Sequence, residues 1–370
     1  MGGFESACHR RRDGLQIDVQ AATHHDARSA EDYALLQAAG IRACRDALRW
    51  HVIESSPGQY DWASFSPLLR AARDANMQVI WDLCHWGLPH DIDIFSDEFV
   101  SRFARFAGAA AEVVRGETGT VPFYCMINEI SFWSWIGGDC ETFYPWKAGR
   151  GGDLKRQLVR ASIAGIDAVR NVEPRARFVQ AEPIIYIAPN KHFPQDDAAV
   201  VSYVLSQFEA WDMLSGRLHP ELGGKPEYLD ILGANYYWNN QWEHLGPHLA
   251  LGMELHRPLC DLLADVYARY KLPLLITETG AEGTGGASWM RYVAGEVRVA
   301  IEAGTPILGI CCYPIADYPG WDDDRHCKCG AIAVTDDWEA RTLREDFVRT
   351  LASELELTET VRKKTIPAGV

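Results

Sequence analysis

The sequence lacks any apolar run that approaches 18 residues, and its N-terminus, MGGFESACHRRRDG, contains no apolar signal core. A membrane-spanning helix needs about 20 apolar residues, so we expect no membrane partner. Without a signal core, we expect a cytoplasmic location. Clustered cations are also missing, and the net charge is −15. Nucleic acid and anionic membrane surfaces are bound by basic patches, so neither is an expected partner.

No linker or compositional break divides the 370 residues, and the hydrophobic fraction of 47% is ample for a core. Several of the 10 cysteines lie inside apolar runs, which is typical of buried thiols and not of a disulfide framework: Cys44, Cys84, Cys125, Cys311 and Cys312. His326, Cys327 and Cys329 are metal-binding residue types, but no second pair follows at zinc-site spacing. We therefore expect neither a metal nor a cofactor.

Two apolar segments end in a glutamate. KLPLLITETG, at 271–280, carries Glu278, and VPFYCMINE, at 121–129, carries Glu129. A lone glutamate after a strand is most often a solvated loop residue. Two strands of the same design, however, place two carboxylates at the rim where parallel barrels keep their chemistry. A carboxylate pair is what glycoside hydrolysis requires.

Strand-like and helix-like segments alternate along the whole chain, and eight such units favour a closed barrel over an open sheet. We predict one (β/α)8 TIM-barrel domain over 1–358 and a frayed tail over 359–370. The predicted strands are 2–7, 41–48, 78–84, 121–128, 176–181, 229–236, 272–277 and 307–313. The predicted helices are 30–39, 65–76, 97–116, 153–172, 198–214, 261–270, 288–303 and 339–354.

The residues at the strand ends resemble those of clan A glycoside hydrolases, most closely family 1, the β-glucosidase family. CRDALRW is similar to the family's FRFSISW, LCHWGLP to HWDLP, INE to FNE, ITETG to ITENG, and LGANYY to G-x-NYY. The paired NE and TE motifs are the most specific of these signals. The resemblance implies a retaining β-glycosidase with a small-molecule carbohydrate or glycoside as substrate.

The same resemblance implies a role for each matched residue. Glu129 is the expected acid/base and Glu278 the expected nucleophile, with their carboxyl groups about 5–5.5 Å apart. The implied supporting residues are Arg45, Asn128, Asn235 and Tyr237. The implied sugar contacts are His85 and Trp86.

The resemblance is weaker at the positions where the family's residues recognise the sugar. Tyr313 stands for the family's strand-eight tryptophan, and Trp321 and Asp322 are possible replacements for its Glu-Trp pair. Glu5 is a possible replacement for the strand-one glutamine. The motif proline after Glu129 is an isoleucine. We therefore expect a retained catalytic pair with altered sugar recognition, and an aromatic loop at 132–135 that either covers a leaving-group site or caps the barrel.

Three alternatives stay open. A transglycosidase would use the same residues with an acceptor other than water. A catalytically inactive sugar-binding barrel would explain the altered recognition residues, although such a protein has no use for two buried carboxylates. A metal-dependent barrel hydrolase is suggested by the 12 histidines, but His24 and His25 lie in a predicted polar loop without the spacing of a metal site.

Overall fold

The computed structural model describes residues 1–365 and contains a closed barrel of eight parallel strands. Each strand pairs with its neighbours in chain order, and the first pairs with the last. The predicted (β/α)8 barrel is confirmed. The strands are β1 (Gly2–Gly3), β2 (Ala43–Ala47), β3 (Gln78–Asp82), β4 (Phe123–Cys125), β5 (Arg177–Pro183), β6 (Ile231–Asn235), β7 (Leu274–Thr279) and β8 (Ile307–Cys312).

Eight helices follow the strands and cover the barrel: α1 (His25–Ala38), α2 (Ser66–Asp74), α3 (Asp97–Glu117), α4 (Gly151–Val172), α5 (Glu209–Leu214), α6 (Leu259–Tyr270), α7 (Gly285–Glu302) and α8 (Glu345–Thr365). The apolar residues of α3 recur at three- and four-residue spacing, so Phe99, Phe103 and Phe106 are all buried on one face. Helix α4 packs closely on α3, since a Cβ at Gly165 would lie 3.0 Å from the Phe103 ring.

Shorter elements lie in the connections. The additional helices are Val19–Ala22, Trp50–Ile53, Ile130–Gly138 and Asp197–Ser206, with 3-10 turns at Trp62–Ser64, Pro194–Asp196, Pro220–Leu222 and Pro226–Tyr228. Four small two-stranded sheets pair Glu54–Ser56 with Gln59–Tyr60, Tyr186–Ala188 with Gln241–Glu243, Tyr318–Pro319 with His326–Cys327, and Ile332–Val334 with Arg341–Leu343.

Besides the first strand, which ends at Gly3 and not at residue 7, the structure corrects three further predicted elements of the connections and the last helix. The helix predicted at 198–214 is two helices, because the chain breaks at Gln207, whose side chain accepts a hydrogen bond from Ile185 N at 2.9 Å. The aromatic loop predicted at 132–135 belongs to the helix Ile130–Gly138. The closing helix begins at Glu345 and not at 339, since Arg341–Leu343 is paired as a strand.

The C-terminal part of the chain also differs from the prediction. Helix α8 continues past the boundary at 358, and Arg362 Nη2 donates to Ile307 O at 2.6 Å, which ties this part of the helix to the barrel. Residues 359–365 are therefore helical and not frayed, while 366–370 lie outside the described residues. The division into one domain and a tail is otherwise untested and stays a prediction.

The interior of the barrel is filled by side chains from alternating strand positions, as expected of this fold: Ile80, Cys125, Val179, Ala181, Ile231 and Leu275. The five cysteines predicted to be buried are buried, and all ten cysteines, which lie within the described residues, are free thiols. Within residues 1–365, no helix is both long enough and apolar enough to cross a membrane.

Candidate active site

Arg45, on β2, anchors a buried charge network at the carboxyl end of the barrel. Its Nε and Nη2 donate to the two oxygens of Asp82, at the end of β3, at 2.9 and 2.7 Å. Its Nη1 donates to Glu278 Oε1 at 2.5 Å. Burial opposes the positive charge, but Asp82 and Glu278 outweigh it and raise the pKa of the guanidinium. Asp82 therefore holds the guanidinium of Arg45 in a fixed orientation, and Arg45 in turn binds the carboxylate of Glu278.

Glu278, on β7, receives one hydrogen bond on each carboxylate oxygen. Arg45 contacts Oε1, and the Tyr237 hydroxyl donates to Oε2 at 2.9 Å. Burial and the charge of Glu278 raise the pKa of Tyr237, so its hydroxyl keeps the proton that it donates. The backbone is held as well, since Tyr236 N donates to Glu278 O at 2.9 Å. These contacts suit a carboxylate that stays ionised and points in one direction.

Glu129 lies beyond the end of β4 in a different environment. Its Oε1 accepts a hydrogen bond from Asn235 Nδ2 at 2.9 Å. The Asn235 amide is oriented by Thr277, whose hydroxyl donates to Asn235 Oδ1 at 2.6 Å. Burial first, and the charge of Glu278 second, raise the pKa of Glu129 well above its usual value. The two glutamates therefore differ in environment: Glu278 has a cation and a hydroxyl as donors, whereas burial and a neighbouring negative charge favour the protonated form of Glu129.

Asn128 and His85 extend the network from Arg45. Arg45 Nη2 donates to Asn128 Oδ1 at 2.6 Å, and Asn128 Nδ2 lies 3.0 Å from His85 Nε2. His85 Nδ1 lies 3.1 Å from Asp82 Oδ2. Since a carboxylate only accepts, His85 carries its proton on Nδ1 and accepts from Asn128 at Nε2. His85, which was predicted to contact sugar, thus has both ring nitrogens engaged by protein. The second N–H of Asn128 has no hydrogen-bond partner within residues 1–365.

Glu5 and Tyr313 lie beside this network, and the sugar contacts predicted for them stay a prediction. Glu5 is buried, its Oε1 accepts from Ala7 N at 2.9 Å, and burial raises the pKa of its carboxyl group. The Tyr313 ring centroid is 5.6 Å from the Arg45 guanidinium, and its hydroxyl accepts from Ser6 N at 3.2 Å. Strand β1 stops at Gly3, where a Cβ would lie 2.3 Å from the Tyr313 ring.

The predicted aromatic contacts divide into two kinds. Trp86 is buried, and its Nε1 donates to Asn128 O at 3.0 Å. Trp321 packs edge-on against Trp86, with ring centroids 5.5 Å apart. Asp322 differs from both, because it is exposed and its backbone oxygen accepts from Arg11 at 3.4 Å. The structure brings Trp321 to the site and leaves the Asp322 side chain at the surface.

Sequence reasoning missed three residues. Asp82 was detectable as an acid inside the apolar run QVIWDLC. Glu182 directly follows the predicted fifth strand, is fully buried, and accepts from the Ile130 and Ser131 amides. His9 is stacked on Phe143 at 3.6 Å, and burial lowers its pKa to about 3. No pattern in the sequence distinguishes His9 from any other histidine.

Comparison with known proteins identifies the fold. No family model matches the sequence, and neither does any curated protein. A family 1 β-glucosidase from Thermotoga maritima superposes with a TM-score of 0.73 at 15% identity, over 93% of this chain and 88% of its own. The AHE enzyme from Alicyclobacillus herbarius gives 0.75 at 18% identity, over 90% and 88%. The chain has the fold of the family 1 β-glucosidases.

A further structure of the Thermotoga maritima β-glucosidase was solved in complex with glucoimidazole. It superposes with a TM-score of 0.74 at 16% identity, over 94% of this chain and 90% of its own. Identities this low establish the common fold, and the chemistry has to be argued from the side chains of this chain.

Two of the histidines considered for a metal have carboxylate partners. His25 was predicted to lie in a polar loop, but it lies in helix α1. It is buried there between two carboxylates, with Nδ1 at 2.7 Å from Asp32 Oδ2 and Nε2 at 2.8 Å from Asp46 Oδ2. His326 lies 3.2 Å from Asp317. Within residues 1–365, no three His, Cys, Asp or Glu side chains converge as a metal site.

Proposed function

We propose that the protein is a retaining β-glycosidase of the family 1 type, with a small-molecule β-glycoside as substrate. The observation that carries the proposal is the contrast between two buried glutamates at one barrel rim. Glu278 is held by Arg45 and Tyr237, whereas burial and the neighbouring charge raise the pKa of Glu129. Environments that push two carboxyl groups toward opposite protonation states define the acid and the nucleophile of such an enzyme.

In the first step, a Glu278 oxygen attacks the anomeric carbon while Glu129 transfers its proton to the departing glycosidic oxygen. The bond to the leaving group breaks, and an ester forms between the sugar and Glu278. The ester carries no negative charge, so Arg45 and Tyr237 then no longer face a carboxylate. Asn128, whose second N–H is not used by His85, would donate to the sugar 2-hydroxyl, a contact that strengthens in the transition state.

In the second step, Glu129, now a carboxylate, takes a proton from water as the water oxygen attacks the anomeric carbon. The ester bond breaks and restores the Glu278 carboxylate. This double displacement keeps the anomeric configuration and calls for carboxyl groups about 5–5.5 Å apart. An acceptor hydroxyl in place of water would give transglycosylation by the same residues.

The test is hydrolysis of a panel of aryl β-glycosides, followed by trapping with a 2-deoxy-2-fluoro glycosyl fluoride and peptide mass mapping. We expect the label on Glu278. Glu129→Gln should slow glycosides with poor leaving groups by about 10²–10⁴-fold, the usual contribution of a general acid. Glu112→Gln, on the exposed side of α3, is the matched control and should be fully active.

A label on another residue, or a fully active Glu278→Gln variant, would overturn the proposal. Binding of the panel without turnover would instead support the sugar-binding alternative. Activity abolished by a chelator would support the metal-dependent one.

A further inference from the structure

The hydrogen-bonded pairing of strand β4 in the barrel ends several residues before Glu129. Pairing between β4 and β5 joins Phe123 to Arg177 and Tyr124 to Phe178 and goes no further. Glu129 itself has a φ of 47°, a conformation that residues other than glycine rarely adopt. A side chain whose position decides catalysis therefore stands on backbone that needs support from elsewhere.

That support comes from three consecutive residues of β5. Gln180 Nε2 donates to Ile127 O at 3.1 Å. Ala181 O accepts from Glu129 N at 3.0 Å. The next two amides of the chain, which open the helix Ile130–Gly138, are both bound by the Glu182 carboxylate.

The geometry at Glu182 is bidentate. Ile130 N donates to Oε1 and Ser131 N to Oε2, each at 2.9 Å, and Gln180 Nε2 donates to Oε1 at 2.9 Å. Burial raises the pKa of the Glu182 carboxyl group, but all three partners are N–H donors, which a carboxylate satisfies and which would leave the proton of a carboxylic acid without an acceptor. A negative charge at this position is also favoured by the dipole of the following helix.

We propose that Glu182 is a positioning residue for Glu129: it holds the two amides that follow Glu129 and places a negative charge at the backbone next to it. This inference rests on the proposed role of Glu129 as general acid. Two consequences follow. The backbone clamp fixes where Glu129 can deliver a proton, and the nearby charge contributes to raising the pKa of Glu129, after burial and Glu278.

The experiment compares Glu182→Gln with Ser96→Ala. The first variant keeps the size and one acceptor oxygen but loses the charge. The second removes another helix cap, the Ser96 hydroxyl that accepts from Phe99 N at 3.3 Å at the start of α3. Both variants are expected to lower the melting temperature, so stability alone does not distinguish positioning from a purely structural role.

Two readouts do. A dinitrophenyl glycoside leaves without protonation, whereas a phenyl glycoside needs the acid. Since general acids contribute about 10²–10⁴-fold, partial impairment in Glu182→Gln should cost the phenyl substrate about tenfold more in kcat/KM than the dinitrophenyl substrate. The alkaline limb of the pH profile for the phenyl substrate should also move to lower pH, because Glu129 then ionises more readily. Ser96→Ala should change neither.

Equal losses on both substrates with an unmoved alkaline limb would overturn the inference. If the wild-type protein hydrolyses no glycoside, the proposed function fails separately. The inference is then decided by the 13C carboxyl signal of Glu129, assigned with Glu129→Gln in protein labelled on glutamate. A titration midpoint that is lower in Glu182→Gln supports the role, and an unchanged midpoint contradicts it.

Discussion

Arg45 and Asp46 are neighbours on β2, and they belong to two different buried charge networks. Successive strand residues face opposite sides, so Arg45 joins the inner network, with Asp82, Glu278, Asn128 and His85, at the mouth of the barrel. Asp46 joins the outer network, with His25, Asp32 and Arg341, between the barrel and its helices. One strand thus supplies both regions.

The two networks differ in charge balance. In the outer network, two cations face two carboxylates: His25 lies between Asp32 and Asp46, and Arg341 Nε donates to Asp32 at 2.7 Å. In the inner network, Arg45 alone serves Asp82 and Glu278. In a buried network with equal numbers of positive and negative charges, each carboxylate is neutralised by a cation, which does not favour acid–base chemistry. An unbalanced one leaves a negative charge that raises the pKa of a neighbouring carboxyl group, as Glu278 does for Glu129, and such a shift is a condition for acid–base chemistry.

Replacing the nucleophile should separate the two networks most strongly. Glu278→Gln should lower kcat/KM on aryl β-glycosides by more than about 10³-fold, because no other group can form the ester. Its free energy of unfolding, from urea titration, should fall by less than about 1 kcal/mol, since Arg45 keeps Asp82 and the repulsion with Glu129 is relieved. A variant that is both inactive and strongly destabilised would contradict the comparison.

Asp46→Asn should show the reverse. Removing Asp46 leaves His25 and Arg341 to share the single carboxylate of Asp32, so one buried positive charge is no longer balanced, at a cost of about 3–5 kcal/mol in the free energy of unfolding. The folded fraction should keep its kcat/KM within a factor of about two, because Asp46 faces away from the inner network. Unfolding curves and active-site titration check the two parts. A large loss of kcat/KM per folded molecule would show that the networks are coupled.

The outer network also predicts a pH dependence of stability. Burial alone would lower the pKa of His25, but Asp46 and Asp32 outweigh it and raise the pKa to about 10. The unfolded chain releases the same proton near pH 6.5. The stabilisation is therefore fully present below about pH 6.5 and is lost as the pH rises toward 10.

We expect the free energy of unfolding of the wild type, relative to His25→Gln, to be largest below pH 6.5 and to shrink by several kcal/mol by about pH 10. Taking the difference removes the contribution of the other titrating groups. A difference that stays constant across this range would show that the imidazolium is not retained in the folded state.

The smallest effect is expected at Asp322. Its side chain is exposed, so Asp322→Ala should change kcat/KM by less than about twofold, in line with surface positions generally. Trp321→Ala, one residue away and packed on Trp86, should raise KM. Equal effects of the two substitutions would restore Asp322 as a sugar-recognition residue.

The sequence by itself predicted the barrel, because eight apolar runs alternate with amphipathic helices and the period of each pattern survives any tertiary context. It also predicted which residues end the strands. Glu129, Glu278, Asn128 and Tyr237 could be identified on that ground, since the carboxyl ends of parallel strands meet at one rim. Arg45 lies inside its strand and was identified by the resemblance of CRDALRW to the family motif.

Only the tertiary structure decided how these residues are connected. The partners of Arg45 lie 37 and 233 positions away, and no local pattern encodes such a contact. The same holds for Glu182, which lies 52 and 51 positions from the two amides it binds. Strand periodicity places a side chain on a face, but which partners meet there depends on how the barrel closes.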